Sequence, residues 1–387
     1  MTSNGSVVSA AALRAVMVDR VLAVAAVSTT VEAAMRAVPR ERFVSGVAFE
    51  EVYGDGAFGG YGVGRWASVP AAVAVMLDQL AVEPGSRVLE IGSPDGYSTA
   101  LLSVLAGRTG KVVTTDVDAL KISRNAAGLN DPRFLNVELV GGDIAGRLRM
   151  PYDRVLLHAP TDIHPELVSE VAEGGRLVLP LRLRGLDRAV AFVRDGGLLV
   201  SDSIRPFPGR SQSPRRTATF LSAGVRLDAA GQDVDAGALR DAIIGQRHLV
   251  RTGVTLPASL LPHLDLTLAV VRPLYGRLYV EPVSDQQTPM TRPCPDGVSA
   301  VWKRGTLAFL DIEPIEDSAV EVRVAAYGPD RHEVADLLGY DIQMWDAHRR
   351  EGPDPTIRVY PPSTACGSPL PGRQITAPYN QFMIAWD

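Results

Sequence analysis

Between residues 87 and 181, short apolar runs alternate with stretches of helical length, and this pattern restricts the fold more than any other in the chain. The runs are RVLEIG, KVVTTD, NVELVGGD, YDRVLLHA and GRLVLPL, and between them lie STALLSVLAG, ALKISRNAAGL and PELVSEVAEG. Strands separated by such stretches predict a parallel sheet with crossover helices, an α/β doubly wound architecture. RAVAFVRDG and LLVSDSI then read as a hairpin turning at Gly196-Gly197.

Upstream, residues 8–37 read as two helices separated near Ser28-Thr29-Thr30, with Pro39 as the breaker in VPRERFV, and another helix starts at Pro70. Residues 45–66 are glycine-rich and lack a period, which marks a long functional or irregular loop. The composition shifts at PFPGRSQSPRR (206–216). We therefore expect a first domain over 1–210, made of N-terminal helices (8–45) and a core (70–205), and a C-terminal α+β domain over 217–387. In the latter, GALRDAIIGQRHLV and HEVADLLGYDIQMWDAHRR are expected as helices, and LTLAVV, GRLYVEP, TLAFLDIEP and AVEVRVAAY as strands; the tail from Gly352 is rich in Pro and Gly.

The strand tips carry the chemistry. Gly92 and Gly96 flank Ser93-Pro94-Asp95 between a strand and a helix. Glycine there lets backbone approach a ligand, and a helix start offers free N–H groups, although a plain turn would look the same. KVVTTD ends in Asp116, where doubly wound folds grip a ribose diol; an acid solvated at the surface is the other reading. Asp118 reads as the cap of the following helix. The third strand ends in Gly141-Gly142-Asp143, a further acid on the same rim. The loop lacks GxGxxG and has no lysine, so neither a dinucleotide nor a P-loop site is indicated there. A nucleoside ligand without phosphates, such as S-adenosylmethionine, fits better.

The 387 residues carry a formal charge of −5 with no basic block, which argues against a nucleic-acid partner. Cys294 and Cys366 are too few for a disulfide framework and show no metal spacing. Arg14, Asp19 and Arg20 interrupt the apolar start, so neither a signal peptide nor a membrane span is expected, and a cytoplasmic protein is.

VPRERFV, the Tyr53-x-Asp55 pair, GVGRWASVP, VLEIGSPDGYSTALL, Gly142-Asp143, PYDRVLL and EGGRLVLPL occur in an order that resembles the protein-L-isoaspartate O-methyltransferase family over about residues 8–205. The resemblance implies a Rossmann-like domain that uses S-adenosylmethionine to methylate an isoaspartyl carboxylate, whose ester collapses to a succinimide. It implies a cofactor site of Glu90, Gly92, Ser93, Gly96, Asp116, Val117, Gly142, Asp143 and Ile144, with Asp116 on the ribose and Asp143 on the adenine amino group. It makes Ser68 the active-site serine and Tyr53, Trp66, Val69 and His158 substrate contacts; no metal is implied.

The chain departs from the family at several points. Pro94 replaces the second loop glycine, His158 the threonine after the fourth strand, and Trp66 and Val69 polar neighbours of the serine; the Tyr-x-Asp pair lies one residue further upstream. Pro94 removes one N–H and fixes φ, which reshapes the loop without filling it. The whole chain also resembles a longer actinobacterial branch associated with ribosomally made, modified peptides. That resemblance implies a peptide partner, methylation of an ordinary aspartate and collapse to aspartimide or isoaspartate. Isoaspartyl repair and a non-catalytic, peptide-binding descendant of the fold are the alternatives.

Overall fold

A computed structural model describes residues 9–44, 46–55, 69–142, 151–158, 163–208, 218–222, 224–281, 294–315, 318–361, 372–376 and 379–386. Its helices are α1 (Ala10–Val24), α2 (Thr29–Ala37), α3 (Phe49–Val52), α4 (Pro70–Leu80), α5 (Tyr97–Ala106), α6 (Ala119–Leu129), α7 (Pro165–Glu170), α8 (Ala236–Ile243), α9 (Leu261–Val271) and α10 (Arg331–His348).

The first sheet begins with β1 (Arg87–Ile91), β2 (Lys111–Asp116), β3 (Val137–Gly141) and β4 (Tyr152–Leu157), then β5 (Val171–Leu183), β6 (Leu186–Asp195) and β7 (Leu198–Pro206). β3, β2, β1, β4 and β5 lie side by side and parallel, as the alternation predicts. β5, β6 and β7 form an antiparallel meander whose second turn is the expected one at Gly196-Gly197. The expected helix at PELVSEVAEG stops at Glu170, and β5 starts at Val171.

The second sheet contains β8 (Ala218–Ser222), β9 (Val225–Asp228), β10 (His248–Pro257), β11 (Gly276–Val280), β12 (Cys294–Lys303), β13 (Thr306–Pro314) and β14 (Ala319–Tyr327), in the order β10-β14-β13-β12-β11-β9-β8. Two expectations fail here. LTLAVV is the end of α9, not a strand; seven of its eleven residues, 264–270, are buried, so the apolar run has no strand period to detect. HLV does not continue α8 but opens β10, in which Thr252, Val254 and Leu256 face inward at a period of two.

The tail corrects a third. β15 (Thr356–Tyr360), β16 (Gly372–Thr376) and β17 (Gln381–Ala385) return to the first sheet, whose order is β16-β17-β15-β7-β6-β5-β4-β1-β2-β3. The expected C-terminal unit of 217–387 is therefore not one uninterrupted run: its last strands complete the sheet of the N-terminal unit. The two sheets also share a core. Leu89, Val155, Leu177 and Val190 of the first pack in one apolar cluster with Leu256, Leu310 and Val322 of the second and with Leu264, Leu268, Leu338 and Trp345 of α9 and α10. The opposite face of the first sheet is covered by α1, α2, α4 and α5, with Val88, Val112 and Leu156 beneath them. α4 is buried on every residue but Asp78, so it lies wholly inside this layer.

Candidate active site

The carboxyl ends of β1, β2, β3 and β4 meet on one rim, the place where open α/β sheets take ligands. Backbone bonds weld the tips together: Gly92 N–H to Thr115 C=O (2.8 Å), Gly142 N–H to Asp116 C=O (3.0 Å) and His158 N–H to Ile91 C=O (3.1 Å). Gly92 has φ of +80° and Gly142 of +93°, conformations that favour glycine. A Cβ added at Gly92, Gly141 or Gly142 would have no other atom within 4 Å, so the backbone of both tips borders open space. Gly96 differs: with φ of +83° it caps α5, and a Cβ there would press on Asn125 at 3.2 Å.

Glu90 is fully buried at the end of β1. One oxygen is 2.8 Å from His158 Nε2 and also accepts from the Ser98 hydroxyl, and the other accepts from Thr99. Burial alone would push this carboxyl up; the bonds from His158, Ser98 and Thr99 outweigh it and hold Glu90 below the usual carboxylate range. Ser93 is 1 % exposed, and its Oγ accepts from Gly96 N–H (3.2 Å) and lies 3.2 Å from Thr99 Oγ1, which links the loop to the same cluster. Asp95 accepts from Tyr97 N–H (2.9 Å); burial, only partly offset by the Arg40 guanidinium and by that bond, raises its carboxyl.

Asp116 lies at the tip of β2 with its side chain 5 % exposed. Oδ1 accepts from Asp118 N–H (2.8 Å) and Oδ2 from Lys121 Nζ (3.2 Å). Asp118 caps α6 as expected, accepting from Leu120 N–H (2.9 Å). Val117 and Leu120 stand out from the rim at 82 % and 66 % exposure. Lys121 and Leu120 escape a reading of the sequence, and the only hint is their place in the first turn of the helix that follows the β2 acid.

The substrate side is less complete. Ser68, Trp66, Asp143 and Ile144 lie outside the described residues. Val69 is half-buried just before Pro70, the first residue of α4. Tyr53 is 2 % exposed among the residues under α1–α4, and its hydroxyl donates to Glu41; burial and that bond push it up to about 12. It is a packing residue in this structure, not an open contact surface. His158 turns its ring inward onto Glu90, with its side chain 6 % exposed. Among the described residues no cluster of metal-ligating side chains occurs, and no helix is long and apolar enough to cross a membrane.

This fold and rim define an enzyme class that binds a nucleoside-type cofactor over the tips of a doubly wound sheet. A family model described as protein-L-isoaspartate(D-aspartate) O-methyltransferase (PCMT) matches residues 14–205. The chain is 35 % identical over 178 residues to the protein-L-isoaspartate O-methyltransferase of Anaeromyxobacter dehalogenans strain 2CP-1, covering 45 % of this chain and 84 % of that protein. It is 34 % identical over 182 residues to the enzyme of the same name from Vibrio cholerae strain O395, covering 46 % and 84 %. A solved protein-L-isoaspartate O-methyltransferase aligns with a TM-score of 0.46 and 19 % identity, over 89 % of this chain and 96 % of that one. A second, from Plasmodium falciparum in complex with S-adenosyl-L-homocysteine, aligns with a TM-score of 0.42 and 17 % identity, over 52 % and 98 %. The chain belongs to the protein-L-isoaspartate O-methyltransferase family. It is a methyltransferase, and S-adenosylmethionine is its cofactor.

The residues present fit that cofactor. Asp116 offers a largely buried carboxylate whose two oxygens have lone pairs to spare beyond their two partners, as a ribose diol requires. The glycine tips at 92 and 141–142 leave the space beside it clear.

Proposed function

We propose that the protein transfers a methyl group to the side-chain carboxylate of an aspartate in a ribosomally made peptide, and that the ester then closes to aspartimide and opens to isoaspartate. The observation that supports this reading most is the second sheet. Beyond the family match of 14–205, β10, β13 and β14 of that sheet, with α9 and α10, pack into the same core as the methyltransferase sheet, an investment suited to recognising one partner. We assign residues 217–355 to that recognition unit and the cofactor site to Glu90, Gly92, Ser93, Gly96, Asp116, Val117, Gly142, Asp143 and Ile144, with Val117 set to cover the adenine face.

S-adenosylmethionine supplies an electrophilic methyl group on a positively charged sulfur. The chain's own task is positioning and exclusion of water. A substrate carboxylate with an ordinary pKa of about 3.9 is already ionised at neutral pH, so no general base is needed. The Ser68 hydroxyl donates a hydrogen bond to one carboxylate oxygen and leaves the other to form the new bond to carbon, with Trp66 and Val69 as apolar walls. Once the ester exists, the backbone nitrogen of the next residue attacks its carbonyl, methanol leaves, and the five-membered ring closes.

Isoaspartyl repair is the second reading, favoured by the name that the curated relatives carry. Two synthetic peptides that differ only in Asp or isoAsp at one position, drawn from candidate precursors, separate the two. The expected result is methyl gain and then methanol loss on the Asp peptide, followed by intact mass; turnover of the isoAsp isomer alone would establish repair. Ser68→Ala is expected to lower turnover about ten-fold or more, the loss of one hydrogen bond to a charged group, with S-adenosylhomocysteine binding retained. Equal turnover would remove Ser68 from the site.

A further inference from the structure

His158 sits at the tip of β4 and reaches across to β1. Its Nε2 lies 2.8 Å from Glu90 Oε1 and 3.2 Å from Ser98 Oγ, in a pocket where Glu90 is wholly buried. From there contacts run into the loop. Ser98 and Thr99 donate to Glu90, Thr99 also bonds Ser93, Ser93 accepts from Gly96 N–H, and Asn125 of α6 donates to the Ser93 carbonyl at 3.2 Å. His158 is thus the β4 end of a polar chain that ends on the turn around Pro94. That turn has one backbone donor fewer than a glycine loop and a fixed φ at Pro94, and the side chains beneath it tie it to β1 and α6.

A buried carboxylate without a donor is costly. Arg40 influences Asp95 from the short helix at 40–42, but the group in direct contact with Glu90 from β4 is His158. We propose that His158 is a positioning residue for the cofactor loop: its Nε2 contact fixes the Glu90 carboxylate and, through Ser98, Thr99 and Ser93, the turn on which an S-adenosyl ligand rests. This rests on the assignment of residues 90–99 as the cofactor loop. His158 then acts on the affinity of the cofactor and not as a base in methyl transfer, which a carboxylate acceptor does not need.

Calorimetry with S-adenosylhomocysteine, together with steady-state kinetics, tests it on the full chain. His158→Ala is expected to weaken binding about ten-fold or more, the loss expected when one hydrogen bond to a charged group is removed. His158→Gln carries an amide nitrogen where Nε2 stood, and is expected to restore binding to within about three-fold of wild type. In both variants the change is expected in the KM for S-adenosylmethionine more than in kcat. Three results would overturn the proposal: unchanged affinity in His158→Ala, equal weakening in the Ala and Gln variants, or a collapse of kcat with affinity intact, which would make the imidazole a catalytic base. Failure of the wild-type protein to bind S-adenosylhomocysteine would overturn the loop assignment and the proposal together.

Discussion

Asp116→Ala is expected to raise the Kd for S-adenosylhomocysteine by about a hundred-fold or more. In the proposed cofactor site a ribose diol would place two hydrogen bonds on this carboxylate, each to a charged acceptor and worth roughly 1.5–3 kcal/mol, and every 1.4 kcal/mol is tenfold in affinity. The substitution also strands Lys121, whose Nζ lies 3.2 Å from Oδ2, in a half-buried position with an open rim beside it. Asp116→Asn keeps one acceptor oxygen and is expected to fall between the alanine variant and wild type. Isothermal titration reads both. A Kd for the alanine variant within about three-fold of wild type would remove Asp116 from the ribose site.

The second large effect is on stability and lies between α9 and the second sheet. Asp265 of α9 accepts from Arg277 Nη1 of β11 at 2.6 Å and from the Ser299 hydroxyl of β12, while the Tyr275 hydroxyl lies 2.7 Å from Ser299 Oγ. Arg277 is 11 % exposed at its side chain and Tyr275 is fully buried. Burial works against the Arg277 charge, yet Asp265 overrides it and raises the guanidinium further; burial, aided by the Asp265 charge, pushes the Tyr275 phenol up to about 12. Asp265→Ala removes the carboxylate from a guanidinium that keeps the Gly297 and Asp296 carbonyls but no charged partner at this contact, and breaking such a pair typically costs about 3–5 kcal/mol. Urea denaturation is expected to show a midpoint lowered accordingly at unchanged slope. The double variant Asp265→Ala, Arg277→Met should recover most of the loss, because the stranded charge and not the missing bond dominates. A single-variant cost under about 1 kcal/mol would show that solvent reaches Arg277.

The parallel half of the first sheet is legible because its strands, crossover helices and Asp118 cap each satisfy a local rule, and the rules agree. The place of Asp116 at the tip of the second strand is legible by the same logic, since it follows from strand length and order alone. The failures share a physical origin. LTLAVV is apolar on every side, so periodicity cannot separate helix from strand, although Pro262 in the first turn marks the helix start. β15 and β16 are embedded in a Pro- and Gly-rich stretch whose composition hides their pairing with β17 and β7. The bond between His158 and Glu90 joins residues 68 positions apart and exists only because β4 is laid beside β1. Tyr53 could be noticed as a motif, but only packing shows that its ring is buried and its hydroxyl tied to Glu41.

The return of β15 to β7 bears on how the polypeptide is made. A nascent chain emerging from the ribosome presents β1 to β7 long before residues 356–385 exist, so the edge that β15 will occupy stays bare while the whole second sheet is synthesised. Bare strand edges recruit other strands. Translation that halts in that interval leaves a sticky intermediate, and β15, β16 and β17 act as the stitch that seals it.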